Sequence, residues 1–275
     1  MPNDSWMPVF TRPPERSYLP IECLEARAQC RKEHCCLHEM PLHFKTAKIN
    51  NEFKLTVPMI YEQGDIGSCT ANAMAGSYLI MQLNNLGKII FWPSRLFAYY
   101  IVRVADNNNS PIGITDSGAI ESDLLFCCKT IGVCNEGLWP YNTYNVNKKP
   151  HSHCFENAAT YKIKSYNILP TTDRINNVIY VLGTLKKPVQ IAIRVFSSFE
   201  SSKVTKTGTV VMPKINGELF LGGHEMYLFG YNIQKQVFYG ANSWGRGWGV
   251  KGTFTIPFAY IKNTFLTVEC TFFTI

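Results

Sequence analysis

The chain has 275 residues, 27 basic against 20 acidic side chains for a formal charge of +7, and 46% hydrophobic against 17% charged residues. That balance supports a packed domain of two lobes, or two small domains, and excludes disorder of the whole chain. No run of ~18 apolar residues is present to span a bilayer, and the first twenty residues, MPNDSWMPVFTRPPERSYLP, lack the apolar stretch of a secretory signal. The expectation is a protein with no membrane partner. Its positive charge is spread: residues 1–50 mix basic and acidic groups, and pairs such as Lys148–Lys149 and Lys186–Lys187 are scattered. Without a basic stripe or a recognisable module, no nucleic-acid partner is expected.

Residues 1–50 read as an extension outside the core, because Pro8, Pro13, Pro14 and Pro20 interrupt them and no long apolar period runs through them. Cys23, Cys30, Cys35 and Cys36 crowd there with His34, His38 and His43, and CRKEHCCLH offers possible Zn²⁺ ligands, although two separated CxxC pairs are lacking. Further on, Ala71, Met74, Ala75, Tyr78, Leu79 and Met81 recur at helical intervals, predicting a helix over about 69–83 with Gly87 as a stop. Two more helical patterns follow, over Ser94–Val104 and from Asp116 or Ser117 to Gly132, where Asp116 would cap and Gly132 would stop. A short helix near Asp173–Leu182 leads to VQIAIRV, where Val189, Ile191, Ile193 and Val195 alternate as in a strand. MYLFGY, QVFYGAN, GTFTIP and FLTVECTFF continue as short strands between turns, so a helical lobe (51–165) precedes an antiparallel β lobe (166–275), an α+β plan with a cleft between. Cys127, Cys128, Cys134, Cys154 and Cys270 lie in apolar surroundings and are expected to fill the core as free thiols.

One cysteine sits differently. In QGDIGSCTANA, residues 63–73, Cys69 opens the predicted helix, where the helix dipole favours its thiolate. Gln63 is a neutral amide donor six residues earlier which, with the Cys69 backbone N–H, could form an oxyanion hole. A thiolate nucleophile needs an imidazole, and His224 in GGHEMYLFGY stands at a glycine-flanked strand start, Gly222 and Gly223 permitting close passage of a substrate. Asn242 in ANSWGRGWG can orient that ring, with Trp244 and Trp248 shielding the bond from water.

Gln63, Cys69, the Gly222–Gly223–His224 run and the Asn242-Ser-Trp-Gly-x-x-Trp-Gly block together resemble the papain and cathepsin superfamily of cysteine proteases, in the family's order. His224 and Asn242 follow Cys69 by 155 and 173 residues, slightly beyond the usual ~130–150, which a modest insertion explains. The glycine pair looks like that of cathepsin B, while GSCTANA, SRLFAYY and DSGAIESDLLFCCKTIGVCNEGLWPYN look most like the bacterial and viral branch. The resemblance covers about residues 54–260 and implies a papain-like two-lobed fold, with Cys69 as nucleophile, His224 as base, Asn242 as orienter and Gln63 on the oxyanion. It implies peptide or protein substrates and neither metal nor organic cofactor. By resemblance to the superfamily's zymogens, residues 1–50 would be an inhibitory pro-segment.

Ile66 stands where many secreted members have a disulfide cysteine, and Thr70 replaces the usual tryptophan. The missing bridge fits a reducing compartment, so an intracellular or virion-associated location is expected. Glu225 follows His224 where a small residue is common, and can either tune the ring or point away. In the family, specificity rests mainly on the pocket for the second residue before the cut; Gly222, Gly223 and Trp244 are expected beside the substrate. Glu269 in LTVECTFF resembles the acidic residue at the floor of that pocket in cathepsin B, against the alternative of an exposed strand glutamate. Two other functions compete with peptide hydrolysis: a proteolytically silent binding protein, and an acyl transferase using the same triad.

Overall fold

The computed structural model describes residues 49–275. The expected extension of residues 1–50, with its cysteines and histidines, therefore lies outside the described residues except for Ile49 and Asn50. Helix α1 (Cys69–Leu86) is Ala-rich and proline-free, with 14 of its residues buried, so it is apolar nearly all round and runs through the interior. One face, with Ala73 and Ile80, packs into the core of the sheet. The other, with Ala71, Met74, Tyr78 and Met81, packs into the core built by helices α2 (Arg95–Asp106) and α3 (Glu121–Thr130). Gly76 allows the close approach, because a Cβ there would lie 2.5 Å from the Tyr227 ring. Gly87 closes α1 in the left-handed conformation, φ 69°, its N–H donating to Leu83 O.

The sheet has seven strands: β1 (Glu52–Lys54), β2 (Ser165–Ile168), β3 (Val189–Phe196), β4 (Phe220–Asn232), β5 (Val237–Ala241), β6 (Thr253–Pro257) and β7 (Thr267–Thr274). Their order is β2-β7-β3-β4-β5-β6, with β1 also on β4, and every pairing is antiparallel. Short helices α4 (Ser152–Ala158), α5 (Arg174–Gly183), α6 (Ser202–Thr207) and α7 (Phe258–Lys262) complete the fold. Strand β3, held between β4 and β7, buries even Gln190 and Arg194.

A helical part and an antiparallel β part are both present, and the 165/166 division expected from the sequence lies inside β2, after its first residue Ser165. The chain ends cross that division. Leu55, just after β1, sits in the sheet core, while Phe273 near the end of β7 packs among the helices. The expected helix start at Asp116 is corrected: α3 begins at Glu121. Asp116 instead accepts hydrogen bonds from Gly67 N at 2.9 Å and from the Tyr99 hydroxyl at 2.5 Å, a long-range use that local capping chemistry does not reveal. Cys127, Cys128, Cys134, Cys154 and Cys270 are buried free thiols. No helix among the described residues is long and apolar enough to cross a membrane.

Candidate active site

Cys69 is the first residue of α1, its preceding turn fixed from three directions. Ser68 Oγ lies 2.5 Å from Tyr141 Oη, Asn72 Nδ2 donates to Ser68 O at 2.9 Å, and Asp116 holds Gly67 N. Tyr141 Oη also donates to Gln63 O at 2.8 Å. Behind them the Arg95 guanidinium lies between the Tyr61 and Tyr141 rings, 4.2 and 3.8 Å from their centres, and pairs with Glu136 at 2.9 Å.

His224, buried on β4, is paired with Asn242 just past β5: Nε2 and Oδ1 are 2.8 Å apart. Ser243 N–H donates to the same Asn242 oxygen at 2.8 Å, and because a backbone N–H can only donate, the amide orientation is fixed. Nε2 therefore carries the proton, and Nδ1 is left as the basic nitrogen. Trp244 stacks on the imidazole, centroids 4.7 Å and planes 27° apart, with Phe199 and Trp248 against Trp244. Trp244 thus covers the ring.

Gln63 is buried and held at both ends of its amide. Ser243 Oγ donates to its Oε1 at 2.6 Å, and its Nε2 donates to Ile66 O at 3.0 Å, leaving one amide N–H uncommitted by that bond. Cys69, His224 and Gly223 line one narrow recess, partly open to solvent, with Glu121 and Glu225. Gly222 adjoins it with φ 133°, a conformation that favours glycine. Glu269 is half-buried and accepts from Ser122 N at 3.3 Å, the residue after Glu121.

The electrostatics depart from the sequence expectation for Cys69. Burial, with a smaller contribution from the Glu225 carboxylate, pushes its thiol up to about 12, against hydrogen bonds from the Glu225 and Thr70 backbone. The desolvation of the sulfur outweighs the favourable helix end. Burial pulls His224 down to about 4, opposed by the Asn242 bond. In this conformation the couple rests as thiol and neutral imidazole. Glu225 bears on the cysteine rather than on the ring.

Sequence reasoning missed Tyr141, Asp116, Ser243 and Glu121. Only Ser243 carried a local signal, lying inside the asparagine block; the others act across 49 or more residues of chain.

The sequence matches the papain family cysteine protease profile over residues 45–264. It is 36% identical over 208 residues to an uncharacterized peptidase C1-like protein of Acanthamoeba polyphaga mimivirus, covering 74% of this chain and 65% of that relative. Among solved structures, xylellain, a cysteine protease from Xylella fastidiosa, superposes with a TM-score of 0.75 at 29% identity, over 85% of this chain and 89% of xylellain. The procathepsin B S9 of Trypanosoma congolense shares the fold at 13% identity, TM-score 0.67, over 95% and 87% of the two chains. The Carica candamarcensis protease CMS1MS2, solved with E-64, does so at 15% identity, TM-score 0.59, over 82% and 99%. With four-fifths of its length matched by the family profile and the two-lobed architecture in place, the chain belongs to the papain family of cysteine proteases.

Proposed function

We propose that the protein hydrolyses peptide bonds by covalent catalysis through Cys69. The observation that carries this reading is the 2.8 Å His224–Asn242 bond, which leaves Nδ1 basic in the recess that Cys69 also lines. Nδ1 takes the thiol proton as sulfur attacks the scissile carbonyl, and the oxyanion is met by the free Gln63 amide N–H and the Cys69 backbone N–H. The C–N bond then breaks as His224 returns the proton to the leaving amine, giving a thioester on Cys69. His224 next deprotonates water, which attacks the thioester and releases the acid and the free thiol. Gly222 and Gly223 let the substrate chain pass beside the ring. Glu269 stands near the recess as an acidic specificity residue, and peptides or proteins are the substrates.

The neutral resting couple fits a site that ionises on engaging substrate. Cys69→Ala tests the reading with a fluorogenic dipeptidyl amide: turnover falls by ~10³-fold or more while the far-ultraviolet circular dichroism is retained. Near wild-type turnover in the variant would overturn it, while absence of turnover in the wild type would leave a papain-fold binding protein as the reading.

A further inference from the structure

Arg95 and the Gln63 carbonyl end a hydrogen-bond chain whose direction is fixed at both ends. A guanidinium can only donate, and Arg95 Nη1 gives to Asn72 Oδ1 at 3.1 Å. That bond turns Asn72 Nδ2 toward the turn before Cys69, where it donates to Ser68 O at 2.9 Å and to Ser68 Oγ at 3.0 Å. A backbone carbonyl can only accept, and Gln63 O takes the single Tyr141 hydroxyl proton at 2.8 Å. Ser68 is therefore the donor in its 2.5 Å contact with Tyr141 Oη. Every proton in the run Arg95, Asn72, Ser68, Tyr141, Gln63 points the same way. Burial pushes the Tyr141 phenol up to about 12, so the donor to Gln63 persists through the neutral range. Glu136 holds the chain from behind: its Oε1 accepts from both Arg95 Nη2 at 2.9 Å and Tyr141 N at 3.2 Å.

The chain joins the two groups proposed to meet the oxyanion. The Gln63 amide comes from the loop before α1 and the Cys69 N–H from the first turn of that helix. Tyr141, 78 residues beyond Gln63 and 73 beyond Ser68, bonds to the backbone of one and to the residue preceding the other. Ser243 ties Gln63 only toward Asn242, so it does not set the distance from Gln63 to the Cys69 turn. An oxyanion hole depends on that distance, because its donors act only when both lie about 2.7–3.1 Å from the place where charge forms.

We propose that Tyr141 is a positioning residue for the oxyanion donors: its hydroxyl, oriented by Ser68, Asn72 and Arg95, sets the spacing between the Gln63 amide and the Cys69 N–H. The proposal rests on the protease reading above and deepens it, with Tyr141 acting through Gln63 and Ser68 rather than on the reacting atoms. Attack on a carbonyl builds an oxyanion and needs that spacing. Alkylation by iodoacetamide does not: sulfur forms a bond to a saturated carbon, iodide leaves, and the thiol proton passes to the imidazole. The two reactions of Cys69 therefore separate oxyanion positioning from general damage to the site.

The test measures kcat and KM of the full chain for a fluorogenic dipeptidyl amide, and the rate of iodoacetamide alkylation at Cys69 by peptide mass spectrometry. Tyr141→Phe keeps the ring and removes the hydroxyl; kcat is expected to fall by about tenfold or more, with KM and the alkylation rate within about threefold of wild type. Ser68→Ala cuts the chain one bond earlier and should lower kcat similarly, and the double variant should fall no further than the lower single within about threefold. Unchanged kcat in Tyr141→Phe overturns the proposal, as does an alkylation rate that falls in step with kcat, or losses that multiply in the double variant. If Tyr141→Phe does not fold, Ser68→Ala gives the same reading; if neither folds, the chain serves stability and the proposal is overturned. Absence of turnover in the wild type instead overturns the protease reading, and this inference with it.

Discussion

Ser243 and Gln63 are joined by two hydrogen bonds across 180 residues of sequence: the Ser243 hydroxyl donates to Gln63 Oε1 at 2.6 Å, and Gln63 N–H donates to Ser243 O at 2.8 Å. Ser243 N–H donates at the same time to Asn242 Oδ1. One serine thus sets the Gln63 amide, proposed to meet the oxyanion, and the asparagine that is bonded to the imidazole. Ser243→Ala is expected to lower kcat by about tenfold with little change in KM, less than the ~10²–10³ of losing an oxyanion donor itself. Ser243→Thr, which keeps the hydroxyl, should recover most of the rate. Equal activity of Ala and wild-type enzymes would show that Gln63 needs no such tether.

Asn242→Ala removes the acceptor for Nε2–H and the fixed tautomer with it. A loss on the order of 10²-fold in kcat/KM is expected, at the low end of what general acid–base catalysis supplies. Cys69→Ala should cost more, since in the proposed mechanism the asparagine orients and the cysteine reacts. Steady-state kinetics of the two variants side by side checks the ranking, which is reversed if Asn242→Ala is the more damaged.

The buried glutamates make stability fall as pH rises. Glu121 has its folded pKa raised above the ordinary 4.5, so its contribution is fully present below pH 4.5 and is lost as pH climbs through the folded value. Glu225, Glu269, Cys69 and Cys128 are the other titratable groups that interact with it or share the recess, with His224 nearby. Glu121→Gln keeps the shape without the ionisation. Its Tm should match the wild type near pH 4.5 and exceed it at pH 8, each ~1 kcal/mol relieved giving about 2–4 °C. A difference that shrinks with pH would contradict the assignment.

His224 works in the opposite sense. Its folded pKa, lowered to about 4 from 6.5, supplies stability that is complete above pH 6.5 and is lost as pH falls toward 4. His224→Gln should therefore flatten the acid side of a thermal-denaturation profile between those values. An unchanged acid limb would assign that loss to other groups.

The sequence carried what was periodic or locally punctuated. The alternation of Val189, Ile191, Ile193 and Val195 marked β3, and the helical spacing after Cys69 with Gly87 at its end marked α1. Strand β2 left no such trace, because all four of its residues are half-buried and alternate in neither direction. Helix α4, only seven residues long, is too short for a helical period to stand out. Asp116 looked like a cap because its chemistry suits one, yet its partners are Gly67 and Tyr99. Gln63, Cys69, His224 and Asn242 were legible as motifs. Glu121 was not, since its place depends on a recess that four separate segments build.

The central claim, that Cys69 is the nucleophile of this site, is tested most directly by treating the full-length protein with the epoxide E-64 and mapping the adduct by peptide mass spectrometry. The chain holds ten cysteines, so the map discriminates. A single adduct on the peptide bearing Cys69, formed in step with loss of amide hydrolysis and absent after Cys69→Ala, is the predicted result. An adduct on another cysteine that abolishes activity, or full activity with Cys69 modified, would contradict it.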